Sequence, residues 1–208
     1  MIIWYLAFLA LPNVAAQVGP PKQGLIDLLM EYVEARYPEH FASSDTVDTE
    51  QVLLYVSVKR QALFHVRGGR LLAEYPIATA TAGLGSEMDS FRTPTGLHSV
   101  SELFGDTVPP LGILKDRVFT GELADPDFAG IDKDWITSRI LWLEGLEPGV
   151  NQGNKVDSHE RYIYIHGTAN ERSVGTASSM GCIRMRNADV IALYEQVPIG
   201  ALVVILDN

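Results

Sequence analysis

The chain has 208 residues, with 26 acidic against 16 basic side chains, a formal net charge of −10 and a single cysteine. The basic residues are scattered, so no electrostatic footprint for a nucleic-acid partner exists, and one cysteine excludes an internal disulfide. Acidity of this degree reflects a solvated exterior and selects no substrate.

In chain order, Met1 to Leu11 is an apolar stretch too short to span a bilayer, and Val14-Ala15-Ala16 then supplies small residues. Residues 1–16 therefore read as a secretory signal peptide, which predicts an exported protein of the periplasm or cell envelope. Nothing further along is long and apolar enough to cross a membrane, so no transmembrane segment is expected after signal removal. Residues 17–49 read as an N-terminal helix and linker. Ile26, Leu29, Met30, Val33 and Tyr37 recur at helical spacing, which predicts a helix over residues 24–37, closed by Pro38. A polar, turn-rich connector follows at residues 43–49.

The period changes at Val52, and residues 50–208 read as one domain. Runs at 52–58, 62–66 and 71–80, separated by Lys59-Arg60-Gln61 and Arg67-Gly68-Gly69-Arg70, predict an antiparallel meander. Leu97 to Val100 is extended. Residues 105–135 show little periodicity and read as an irregular loop forming a substrate wall. Further strands are predicted at 140–143 and 161–166, separated by a polar loop. Asn187 reads as an N-cap for a helix over 188–197 whose apolar face is Val190, Leu193, Tyr194 and Val197, with Asp189 complementing its N-terminus. A last strand spans 201–206. The pattern is mainly β, with helices near the two ends.

The chemistry centres on Cys182, in Ser178-Ser179-Met180-Gly181-Cys182-Ile183-Arg184-Met185. A thiol of ordinary pKa, about 8.5, is only a few per cent thiolate at neutral pH and needs a base or a cation. His166 ends an apolar run, and strand alternation puts it on one face with Tyr162 and Tyr164. Gly181 lets the backbone approach a reacting carbonyl, and amides around Gly181 and Cys182 are candidates for holding the oxyanion. A histidine preceding the cysteine is the reverse of papain-like order. Gly83-Leu84-Gly85 lacks the further glycine of a dinucleotide loop. His159 and His166 would face opposite sides of a continuous strand, so neither a metal nor a cofactor is expected.

Taken together, Thr93-Pro94-Thr95-Gly96, Tyr162-Ile163-Tyr164-Ile165-His166-Gly167-Thr168 and Ser179-Met180-Gly181-Cys182-Ile183-Arg184-Met185 lie in an order that resembles the L,D-transpeptidase catalytic domain, the YkuD type, over roughly residues 52–206. The resemblance implies a β-sandwich with a C-terminal helix and an N-terminal helical extension. It also implies a cysteine-dependent acyltransferase acting on peptidoglycan stem peptides. It places the nucleophile on Cys182 and the base on His166, with Gly181 and Gly167 orienting and Arg184 and Ser179 binding substrate. One departure stands out: Met180 occupies the position where the family usually has a second histidine, and a thioether neither titrates nor donates a hydrogen bond. The same Cys-His pair is compatible with a carboxypeptidase or wall amidase, and loss of the second histidine with a silent peptidoglycan-binding module. Cys182 and His166 together form the minimal catalytic set, which favours an enzyme.

Overall fold

A computed structural model describes residues 20–41, 50–127 and 135–208. The expected signal peptide at 1–16 and the connector at 43–49 lie outside the described residues. Helix α1 (Pro20–Arg36) starts earlier than the periodicity predicts and is followed by a single helical turn, α2 (Pro38–Phe41). Ile26, Leu29 and Val33 form its buried stripe at i, i+3 and i+7. They pack with Tyr37 against Leu53, Tyr55, Phe64, Val66, Leu97 and Val204 of the sheet.

The described strands are β1 (Val52–Ser57), β2 (Ala62–Arg67), β3 (Arg70–Pro76), β4 (Gly96–Phe104), β5 (Gly112–Lys115), β6 (Val118–Leu123), β7 (Ile136–Gly145), β8 (Tyr164–Thr168), β9 (Ile183–Met185) and β10 (Leu202–Leu206). Among the described residues they form one sheet in the order β3-β2-β1-β10-β4-β7-β5-β6, with β8 branching from β7 and carrying β9. The expected meander is β1-β2-β3, antiparallel throughout, whereas β10 returns parallel to β1.

β1 is buried along its whole length because both of its faces are covered. Its odd residues, Leu53 and Tyr55, face α1, while Val52, Leu54 and Val56 face a second core shared with Leu141, Leu143, Ile163, Ile165 and Ile183. That shared core is the sign that the sheet curls until β7, β8 and β9 lie across from β1 and β10. Helix α3 (Asn187–Tyr194) closes it with Val190 and Leu193. A strand buried on two sides reads as a continuous apolar run, as Val52-Leu53-Leu54-Tyr55-Val56 does. Each fully buried aliphatic side chain there contributes about 1.5–3 kcal/mol. The opposite face of β7 and β8 carries a third cluster, Val108, Leu114, Ile140, Trp142 and Tyr164, against which Cys182 packs.

Three sequence expectations are corrected. The expected irregular wall at 105–135 contains the β5–β6 hairpin, whose two-residue turn, Asp116-Arg117, has φ of +49° and +66°. Such a turn usually announces itself as Asn-Gly, and Asp-Arg hides it. The strand expected over 161–166 begins only at Tyr164. Asp157 accepts backbone N–H groups from Gly153, His159 and Glu160 and holds the chain in turns through Tyr162, which has φ of +56°. His159 therefore lies in a turn, stacked on Trp142 at 3.9 Å, and not on the strand of His166. Finally, Asn187 is the first residue of α3 and caps nothing, since Arg186 occupies the N-cap.

Two histidines are fully buried in this framework. His98 is bonded at Nδ1 to Gly96 O (3.1 Å) and at Nε2 to Ser158 Oγ (3.0 Å). His65, on β2 two residues beyond Leu63, has no hydrogen-bond partner among the described residues for either ring nitrogen. Burial above all, with nearby Arg67 for His65, pulls each down to about 4; for His98 the Gly96 carbonyl opposes the shift and Arg161 adds to it. Well above pH 6.5 both rings are neutral in the folded and unfolded chain alike. Between 6.5 and about 4 the unfolded chain takes up protons that the folded one refuses, so stability falls by up to about 3 kcal/mol per histidine and then levels off from these two groups. Urea unfolding at pH 7 and pH 4 will show this loss. His65→Leu is expected to remove about half of it and to raise stability at pH 7 by about 1 kcal/mol, because a buried polar group without a partner is replaced by carbon. An unaltered pH dependence in that variant would contradict the account.

Candidate active site

β8 and β9 run parallel, with Ile165 opposite Ile183, His166 opposite Arg184 and Gly167 opposite Met185. Carried one residue back, the register sets Cys182 opposite Tyr164, and Tyr164 N lies 3.4 Å from Cys182 Sγ. Alternation keeps Tyr164 and His166 on the same face of β8, and Cys182 and Arg184 on the same face of β9. His166 and Cys182 are thus diagonal neighbours on adjacent strands, about 8 Å between Cα atoms from strand spacing and rise. Cys182 is half-buried and directs its thiol at Tyr162 O, 3.4 Å away.

His166 is buried, with Nδ1 2.8 Å from Gly167 O. A carbonyl only accepts, so Nδ1 carries the hydrogen and Nε2 is the basic nitrogen of the neutral ring. Gly167 is required by packing, because a Cβ there would meet Thr137 O at 2.6 Å and Asn187 Oδ1 at 2.9 Å.

The cysteine turn is pinned from two sides. Ser179 Oγ donates to Cys182 O (2.6 Å) and accepts from Gly181 N (3.2 Å), so this buried hydroxyl closes the turn. Gly181 has φ of +129°, a conformation that an L side chain resists. Thr93 Oγ1 donates to Gly181 O (2.9 Å) and accepts from Ala80 N (3.0 Å), which gives Thr93 of the Thr-Pro-Thr-Gly segment a definite task. Arg184 is buried, and its backbone N–H and C=O both pair with Ala78.

The sequence reading missed the tertiary partners of Asn187, the role of Arg161 and the part of Trp142 in the aromatic wall. A bulge in β7 between Thr137 and Ile140, with Ser138 at φ of +63°, lets consecutive hydroxyls of Thr137 and Ser138 both donate to Asn187 Oδ1. Consecutive strand residues ordinarily point to opposite faces. Asn187 Nδ2 donates to Thr168 O (2.9 Å) and to Glu171 Oε1 (2.7 Å), so one amide buttresses the end of β8 behind His166. Arg161 spans Arg92 O (2.7 Å) and Ser90 Oγ (3.3 Å). Burial pulls its guanidinium below the usual value, and Cys182 in its thiolate form, together with Glu87 and Asp89, opposes that shift. It thus sets a positive charge near the sulfur. Trp142, Tyr162 and Tyr164 form an aromatic wall, with ring centroids 5.4–6.5 Å apart. Exposed Met180 lies beside the turn in sequence. Among the described residues no group of three or more His, Cys, Asp or Glu side chains is placed to hold a metal ion.

Comparison with known proteins bears on this arrangement. The family model described as the L,D-transpeptidase catalytic domain, YkuD, matches residues 51–205. The Bacillus subtilis protein YqjB, named as an L,D-transpeptidase, is 50% identical over 48 residues, 23% of this chain and 27% of its own. Bacillus subtilis YkuD, named likewise, is 58% identical over 46 residues, 22% of this chain and 28% of its own. The alignments thus span about a quarter of these relatives' length. Among solved structures, Bd1075 of Bdellovibrio bacteriovorus superposes with a TM-score of 0.51 and 16% identity, over 79% of this chain and 51% of that one, which speaks to the fold alone.

Proposed function

Since the chain belongs to the YkuD family of L,D-transpeptidase catalytic domains, we propose that it is a cysteine acyltransferase that cross-links peptidoglycan stem peptides through a thioester on Cys182. The observation that carries this reading is the β8–β9 register, which sets His166, with its Nδ1 hydrogen held by Gly167 O, diagonally across from a half-buried Cys182.

In the first half-reaction Nε2 of His166 takes the thiol proton, and the field of Arg161 favours the resulting thiolate. Sγ attacks the amide carbonyl that follows the L-centre of a tetrapeptide stem, the C–N bond breaks, and the His166 proton passes to the departing D-alanine amine. In the second, an amine of another stem attacks the thioester carbonyl, His166 accepts the amine proton, and the thiolate leaves. Gly181 and Cys182 form the tight turn beneath the reacting carbonyl, which Ser179 and Thr93 hold in shape. The buried Arg184, beside His166 in register, is assigned to holding the stem. The apolar stretch at residues 1–16 supports action in the periplasm or cell envelope.

Incubation of the purified protein with tetrapeptide muropeptides tests the reading. Cross-linked dimers, each lighter by one D-alanine than two monomers, are the expected product by mass. Monomers shortened by one residue, without dimers, would instead make water the acceptor and the protein a carboxypeptidase. No change in any muropeptide would refute the enzymatic reading.

A further inference from the structure

Arg117 occupies the second position of the β5–β6 turn, where a positive φ of 66° normally selects glycine. What this arginine does there is reach onto the aromatic wall. Its Cζ lies 4.7 Å from the Trp142 ring centroid and 5.6 Å from that of Tyr162, and its Nη1 donates to Tyr164 OH (3.1 Å). Among the described residues no carboxylate forms an ion pair with it at 4 Å or less. The guanidinium lies over π faces with a neutral phenol as its hydrogen-bond partner. It therefore keeps donors for an anion and loses little freedom on binding one. Its position is set by Tyr164, whose backbone N–H touches Cys182 Sγ and whose hydroxyl touches Arg117. A tyrosine side chain separates charge from nucleophile, the span of about two residues of extended peptide.

Building on the transpeptidase reading, we propose that Arg117 is a specificity residue of the groove, binding a stem-peptide carboxylate one or two residues from the attacked carbonyl. Two carboxylates meet that distance: that of the departing D-amino acid, and that on the side chain of the residue being acylated. Either would form charge-assisted bonds to the planar fork of Arg117 while the aromatic wall excludes water from one side.

The test uses the full chain and three synthetic tetrapeptide stems: one with both carboxylates free, one amidated at its C-terminus, and one amidated on the third-residue side chain. Wild type is expected to show kcat/KM about 10- to 100-fold lower on one of the amidated stems, which identifies the carboxylate that is read. Arg117→Gly keeps the turn, whose φ suits glycine, and is expected to process the free stem as slowly as wild type processes that amide. Arg117→Lys, which keeps the charge and loses the planar fork, is expected to fall between them. The proposal is overturned if wild type treats all three stems alike, if Arg117→Gly retains the wild-type preference, or if that variant slows all three stems equally, which would mark Arg117 as a prop for the aromatic wall. A wild-type protein inert toward every stem would sink the transpeptidase reading and this one with it.

Discussion

Cys182→Ala is expected to abolish thioester formation and to lower turnover of tetrapeptide stems by about 10,000-fold or more. Without sulfur there is no covalent path, and removing a member of an interdependent catalytic set forfeits nearly all that the set supplies. Stability should change little, by about 1 kcal/mol or less, because the side chain is small and half-buried, and its contacts of Sγ to Tyr162 O and Tyr164 N are long ones of 3.4 Å. Intact mass spectrometry separates the chemistry from the fold. Wild type mixed with stem peptide should gain the mass of an acyl group and Cys182→Ala should not, while both melt at nearly the same temperature. An alanine variant that keeps turnover within tenfold of wild type would remove the nucleophile assignment altogether.

His166→Ala has the second-largest expected effect, a fall in kcat of about 100- to 10,000-fold at neutral pH, the usual contribution of a positioned general base. Magnitude alone would not separate a base from a buried ring that supports β8, so the pH profile decides. With the base gone, the rate should climb with pH as the thiol ionises without it, and high pH should recover part of the lost activity. A profile parallel to wild type at every pH would reduce His166 to packing. The bond from Nδ1 to Gly167 O makes a companion expectation: Gly167→Ala brings a Cβ to 2.6 Å from Thr137 O, and the displaced carbonyl should lower kcat in the same direction with a smaller amplitude.

Periodicity carried the reading wherever burial is regular. The α1 stripe, the doubly buried β1, the meander and the closing β10 each follow from which faces the core demands, and that demand is written residue by residue. It failed where turns depart from their common signals. Asp116-Arg117 adopts a hairpin geometry that Asn-Gly usually supplies, and Asp157 gathers three backbone N–H groups and keeps Arg161 and Tyr162 out of β8. Even so, the ring of Tyr162 lies 6.5 Å from that of Tyr164. The aromatics expected from strand alternation assemble by another route.

Asn187 shows the same limit from a different side. Its residue type and position argue for a helix cap, because a cap is the local use of a side-chain amide before an apolar-periodic run. Its actual partners are Thr137, Ser138, Thr168 and Glu171, which lie 16 to 50 residues away and converge only because β7 bulges.

The sequence by itself determined the chemical inventory: one thiol in a glycine turn, one histidine on a strand ahead of it, and a mainly β chain with helices toward both ends, although His166 lies in the middle of β8 rather than at its end. Only the tertiary structure decided the parallel register of β8 on β9, the tautomer of His166, the pinning of Gly181 by Thr93 and the approach of Arg161 and Arg117 to the groove. The reason is physical. Residue type and spacing encode which groups can react and which faces must be buried, whereas distances between groups far apart in the chain are set by how the buried faces pack against one another.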